Sequence, residues 1–188
     1  MSAKIISFTQ AVKERQEAVV DGDFGRLFTQ AHQLRTRVIE ETENGLTVIG
    51  LHNIQAWFQK EIADEVFRKK LFSRSVLSSV WFVSDLLATF ATVPNQGSLG
   101  VTEHVDAYME DSNPEHLLAG ANSAFLLFVF YPEYRLRRPV PYRQFAAQIG
   151  PSLYTNYAQS TGRNFGLSMA GAFKPLGIIA RDRFAKNA

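Results

Sequence analysis

The stretch that decides the fold covers residues 113–131 and reads NPEHLLAGANSAFLLFVFY. Asn113, Pro114 and Glu115 supply an N-cap residue, a proline at the first helical position and an acid in the first turn. From Leu117 onward no charged residue occurs until the chain reaches Pro132, which ends the helical pattern. Because a bilayer needs about 20 apolar residues to be crossed, this shorter run predicts a buried core helix.

Apolar residues at helical spacing recur on both sides of this stretch. They predict an all-α fold, a single-domain helical bundle of about five to seven helices that covers residues 1–188. The predicted helices cover residues 4–20, 24–43, 51–70, 76–93, a short stretch from about 101 to 109, 142–160 and 163–185.

Polar residues with short side chains suggest where two of these helices begin. Ser73 or Ser75 is expected to cap the helix over residues 76–93, although that helix and the one before it could also form a single long helix. Thr102 is expected to cap the short helix. Pro151 and Pro175 lie inside the last two helical patterns and are expected to kink them.

Arg35 and Asp85 are charged residues in apolar surroundings. The helix over residues 24–43 has one apolar stripe, and Arg35 falls within it; Asp85 lies inside WFVSDLLATF. The stripe consists of Phe24, Leu27, Phe28, Ala31, Leu34 and Val38. Since an unpaired charge is costly in such surroundings, we expect each to have a partner, and each could be the other's. The alternative is that the two residues line a cavity for an apolar ligand.

The net charge of +2 conceals an uneven distribution. Residues 75–134 contain seven acids and no Lys or Arg, whereas residues 135–188 contain nine Lys or Arg and one acid, Asp182. The two stretches could face each other within the fold or across a dimer. The basic stretch could instead bind nucleic acid or an acidic partner.

The most distinctive basic feature is the Arg/Tyr/Pro segment, residues 131–143. Arginine forms bidentate hydrogen bonds with phosphate or carboxylate, tyrosine offers a stacking face, and proline limits the entropy lost on binding. These properties predict recognition of an acidic protein partner or an anionic ligand, with a nucleic acid as the alternative. The candidate binding residues are Tyr134, Arg135, Arg137, Arg138, Tyr142 and Arg143, joined by Arg163 further along the chain.

No sequence motif indicates catalysis or a cofactor. The chain has no cysteine, which excludes Cys nucleophiles, Fe–S clusters and Cys-zinc sites. Residues 103–116 contain seven Asp, Glu or His, but no known metal-ligand spacing, so we expect a solvated acidic connector and no metal. Ser168 in GLSMA lacks the preceding strand that a nucleophile elbow needs. No cofactor is expected, and a non-catalytic protein is favoured over an enzyme.

Glycine and alanine recur at four-residue spacing at Gly162, Gly166 and Ala170. Small residues on one helix face allow another backbone to approach closely. This spacing predicts close helix packing, either inside the domain or at a two-fold interface.

Together these features favour a non-catalytic interaction or ligand-binding module that acts as a homo-oligomer. The alternatives are a nucleic-acid accessory protein that uses the basic C-terminal region, and a helical enzyme or carrier with an apolar cavity near Arg35 and Asp85. A cytoplasmic location and no membrane attachment are expected. The reasons are that the N-terminus lacks a signal-peptide pattern and that Asp85 interrupts the longest apolar run.

Overall fold

The computed structural model describes residues 51–92, 100–130 and 142–185. Within these ranges the chain forms helices and short connections, with no strand, so the all-α prediction is confirmed. The predicted helices over residues 4–20 and 24–43 lie outside the described residues. The helices are α1 (Leu51–Arg68), α2 (Arg74–Thr92), α3 (Val101–Asp111), α4 (Pro114–Phe130), α5 (Tyr142–Thr161) and α6 (Phe165–Ala180), followed by a π-helical turn (Arg181–Ala185).

Helix α4 lies at the centre of the described helices. Every residue from Ser123 to Phe130 is buried. These residues form more than two helical turns, so the side chains on all sides of α4 are covered. Helices α3, α5 and α6 and the π-helical turn pack against it. The stretch predicted to be the core helix is therefore the core helix.

Aromatic rings join α4 to its neighbours. The ring of Phe173 in α6 lies 5.4 Å from Phe125 and 5.6 Å from Phe128, measured between ring centroids. The ring of Phe130 stacks on Phe90 of α2 at 5.1 Å. Each such ring contributes about 1.5–3 kcal/mol by leaving water, and edge-to-face contacts add to that contribution.

The start of α4 follows the predicted signal, but the start of α3 does not. The Asn113 side chain accepts a hydrogen bond from the backbone N–H of Glu115 at 3.1 Å, as an N-cap residue does. In α3 the N-cap position is occupied by Gly100, and no side chain caps the helix. The prediction that Thr102 caps α3 was therefore wrong, because the helix begins one residue before it.

Helices α1 and α2 form a hairpin rather than one continuous helix. The chain turns at Lys70, which has a left-handed φ of 54°. The N–H of Leu71 donates to the carbonyl of Val66 at 3.0 Å, which closes the last turn of α1 in the manner of a Schellman motif. Ser73 then caps α2, because its Oγ accepts from the N–H of Val76 at 3.3 Å.

Helix α2 also packs against α6, and the two helices run antiparallel. Near the start of α2, Ser75 lies against Gly171, and further along the centroid of the Phe82 ring lies 4.5 Å from that of the Phe165 ring.

Among the described helices, α2 alone is long and apolar enough to cross a membrane by length and composition. Half of its apolar window is buried inside the molecule. A half-buried helix of this kind also occurs in the cores of soluble proteins.

Gly162 and Gly166 have different roles, although their spacing suggested one. A Cβ on Gly166 would lie 2.4 Å from the carbonyl oxygen of Tyr154 and 3.0 Å from Ala158. The predicted close helix packing is therefore confirmed at Gly166, inside the domain, where α6 meets α5. Gly162 has no atom close to the position of a Cβ, and its φ of 70° ends α5 in the left-handed conformation.

Replacing Gly166 with alanine should lower the free energy of unfolding by about 1–3 kcal/mol, because a backbone oxygen must move to admit the methyl group. Urea unfolding monitored by circular dichroism measures this loss. Gly171→Ala in the same helix is the matched control, since its nearest neighbours are atoms of the single small side chain of Ser75. Equal losses for the two variants would contradict the close-packing account.

Candidate functional site

The Arg/Tyr/Pro segment is held at both ends by helices of the core. Its N-terminal end leaves α4 directly after the buried Phe130, and its C-terminal end enters α5 at Tyr142, which packs against the core cluster. Four of the candidate binding residues lie outside the described residues: Tyr134, Arg135, Arg137 and Arg138.

Arg143 fastens the two ends of this segment to each other. Its Nε donates a hydrogen bond to the carbonyl oxygen of Phe128 at 3.2 Å, and the residue is half-buried. The last carbonyl groups of a helix lack partners within the helix, and cations interact favourably with that end. Arg143 therefore satisfies a carbonyl group of α4 and holds the start of α5 beside its end.

Arg163 lies at a different place in the molecule. It follows the C-terminal end of α5, whereas Arg143 lies at the N-terminal end, and the helix between them is about 27 Å long. Arg163 donates to the hydroxyl of Tyr157 at 2.7 Å, and its guanidinium lies 3.9 Å from the Glu115 carboxylate. The structure therefore does not bring Arg163 together with Arg143.

The basic and acidic stretches pack against each other through α4, α5 and α6, but among the described residues one ion pair joins them, the exposed contact between Arg163 and Glu115. In the described part of the chain, the other ion pairs between residues 135–188 and a different helix lead to α1. Arg183 pairs with the nearly buried Glu61, and Asp182 accepts from Lys69 at 3.3 Å. The charge complementarity noted in the sequence therefore accounts for only a small part of the observed packing.

The acidic connector forms local hydrogen bonds. The two oxygens of Asp111 accept from the backbone N–H of Asn113 at 2.8 Å and contact Nε2 of His116 at 3.0 Å. The Asn113 hydrogen bond and, to a smaller extent, His116 lower the pKa of Asp111. Over the described ranges no three Asp, Glu or His residues are grouped closely enough to hold a metal ion.

Of the two cavity candidates, Asp85 is described and Arg35 lies outside the described residues. Asp85 is half-buried on α2. In the described part of the chain, no ion pair or hydrogen bond of its carboxylate occurs. The expected pairing of Asp85 with Arg35 stays a prediction.

A polar pair that was not predicted from the sequence joins the half-buried Asn122 of α4 to α5. The hydroxyl of Tyr154 donates to Oδ1 of Asn122 at 2.7 Å, and Tyr154 is fully buried. Its ring lies 6.3 Å from those of Phe82 and Phe173, so it contacts α2 and α6 as well. Burial raises the pKa of Tyr154 well above its usual value. At neutral pH this phenol stays protonated and acts as a fixed hydrogen-bond donor.

A second feature missed from the sequence is a group of exposed large apolar side chains around α1, α2 and α6. The periodicity of α2 did not reveal it, since apolar residues occur on nearly all sides of that helix. The group comprises Phe67, Phe72, Leu77, Trp81, Leu167 and Ile178.

Comparison with known proteins gives no assignment for this arrangement: no family model, no curated protein and no solved structure matches the chain.

Replacing Tyr154 with phenylalanine should cost about 1 kcal/mol at neutral pH, because Asn122 loses its donor. Since the pKa of Tyr154 is higher in the folded state, its contribution is complete below the unfolded value of about 10 and decreases as the pH rises above that value. The wild-type protein should therefore lose more stability than the variant between pH 9 and about pH 11.

Urea unfolding across this pH range measures the difference. Tyr108→Phe, which removes the hydroxyl of a half-buried tyrosine on α3, is the control and should change stability less. A wild-type advantage over Tyr154→Phe that is independent of pH would contradict the assignment.

Proposed function

We propose that this protein is a non-catalytic helical interaction module, acting as a homo-oligomer, and that the Arg/Tyr/Pro segment binds an acidic segment of a protein partner. The observation that carries the proposal is the hydrogen bond from Arg143 to the carbonyl of Phe128. It fastens the two ends of an arginine-rich connection to the most buried helix of the described fold.

This arrangement suits recognition for two physical reasons. A connection held at both ends by rigid helices loses less conformational entropy on binding than a free chain end does. Binding residues are also commonly found on loops that a rigid scaffold positions. The three prolines at positions 132, 139 and 141 limit the backbone further.

The proposal divides the arginines into two roles. Arg143 is a positioning residue, because its Nε already serves the end of α4. Recognition is assigned to Arg135, Arg137 and Arg138, whose guanidinium groups match carboxylates in bidentate geometry. Arg163 is left out of the binding site, because it lies beyond the far end of α5.

An oligo-glutamate peptide should bind the full chain, and replacing Arg135, Arg137 and Arg138 with alanine should weaken that binding by about tenfold or more, since charge-assisted hydrogen bonds are lost. Fluorescence anisotropy with a labelled peptide measures the affinity. The matched control replaces the exposed Lys60, Arg68 and Arg74 with alanine, which removes the same charge from α1 and α2.

A single-stranded RNA of equal charge is titrated in parallel. Tighter binding of the RNA, weakening steeply with salt and lost in the same triple variant, would replace the proposal with the nucleic-acid alternative. Equal losses in the two triple variants would show a non-specific charge effect and would contradict it. A monomer in sedimentation equilibrium at all concentrations would contradict the homo-oligomer.

A further inference from the structure

One face of α2 presents apolar side chains and a carboxylate to solvent. Leu77, Trp81 and Asp85 follow one another at four-residue spacing and therefore lie along one side of the helix. We call these three residues the α2 outer stripe. Leu77 is 47% exposed and Trp81 is 58% exposed, whereas Asp85 is half-buried. Together the exposed tryptophan and leucine form an apolar surface that another element could cover.

The chain itself contains a segment with complementary chemistry. The helix predicted over residues 24–43 has an apolar stripe that includes a single basic residue, Arg35. The α2 outer stripe is apolar and includes a single acidic residue, Asp85. We propose that residues 24–43 form a helix that packs on the α2 outer stripe of the same chain, with Arg35 paired to Asp85.

The electrostatics favour this pairing. No ion pair or hydrogen bond of the Asp85 carboxylate occurs within the described ranges. Packing an apolar helix on either residue alone would remove a charge from water without compensation, which is costly. Packing the two stripes together brings opposite charges side by side, and the planar guanidinium of arginine suits such a partly buried pair.

The chain connection determines the direction of packing. Asn44 and Gly45 end the predicted helix, and only residues 44–50 separate it from the start of α1. A connection this short joins antiparallel neighbours in helical bundles. Since α1 and α2 themselves form a hairpin, a helix antiparallel to α1 runs parallel to α2. The two helices also match in length, at about 30 Å and about 28 Å.

In this direction the two charges fall at the same level. Arg35 lies eight residues before the end of its helix, and Asp85 lies seven residues before Thr92, the end of α2. These separations correspond to about 12 Å and about 10.5 Å. Four residues earlier, Ala31 lies level with Trp81, so the smallest side chain of the apolar stripe is opposite the largest side chain of α2.

A charge-swap experiment on the full chain tests the pairing. Trp57→Phe leaves Trp81 as the sole tryptophan, and acrylamide quenching of its fluorescence reports whether it is covered. Trp81 should be shielded in this background. Arg35→Asp and Asp85→Arg should each reduce the ratio of covered to uncovered protein by about fivefold or more, and the double swap should restore most of the shielding.

The matched control uses Arg26, which lies on the opposite side of the predicted helix. Combining Arg26→Asp with Asp85→Arg should restore nothing. Quenching as strong as that of a free tryptophan in the starting protein would overturn the proposal, as would strictly additive effects of the two swapped residues. Shielding that appears only at high protein concentration, or only with lipid vesicles, would assign the stripe to a second copy or to a membrane instead.

A cross-linking measurement remains informative if a charge reversal prevents folding. The chain has no cysteine, so two introduced cysteines are the only thiols. A short bismaleimide should cross-link Ala31→Cys to Ser78→Cys within one chain. The control pair of Gln33→Cys and Ser78→Cys should not react, because Gln33 lies on the far side of the predicted helix. Equal cross-linking of the two pairs would overturn the proposal.

Discussion

The complete burial of residues 123–130, the second half of α4, is the constraint on which the rest of the described structure depends. A helix whose residues 123–130 are covered on every side cannot lie on a surface. Other helices must therefore surround it, and each must contribute apolar side chains of matching shape. Phe173 of α6 and Phe90 of α2 fill this role through ring contacts with α4. The resulting arrangement leaves little freedom in the packing of α5 and α6, which approach each other closely at Gly166.

Because so much of α4 is buried, its polar groups need hydrogen-bond partners from the protein. At its N-terminus α4 is capped by Asn113, and near its C-terminus the carbonyl of Phe128 accepts from Arg143. In its middle, Asn122 accepts from Tyr154. The last two contacts satisfy polar groups in partly buried surroundings, whereas the Asn113 cap lies at an exposed helix end. The hydrogen bond of Arg143 connects this requirement with the proposed function, since it also positions the Arg/Tyr/Pro segment.

The features that could be predicted from the sequence are those encoded locally. The start of α4 was predictable because an N-cap, a proline and an acid occur together, and its burial was predictable because no charged residue interrupts the run. The Schellman turn at Lys70 was not predictable, since glycine is the usual residue there and lysine gives no signal. The Tyr154–Asn122 pair was missed because the two residues are 32 positions apart, and helical periodicity carries no information about such contacts.

The candidate site could be predicted only in part, for a similar reason. An arginine in a proline-rich stretch resembles a surface residue, yet a nearby helix terminus engages Arg143. Arg163 shares a residue type with the segment, but the length of α5 separates it from Arg143. The exposure of Trp81 could not be predicted either, because the sequence of an apolar helix such as α2 gives no indication of which side faces solvent.

Native-state hydrogen exchange shows whether the burial of α4 holds the structure together. The amides of residues 123–130 should exchange only through global unfolding. Their exchange free energy should equal the unfolding free energy measured with urea and should exceed that of the α3 amides. Exchange of the α4 amides through a smaller opening, at a lower free energy than the amides of α1 or α3, would contradict the account.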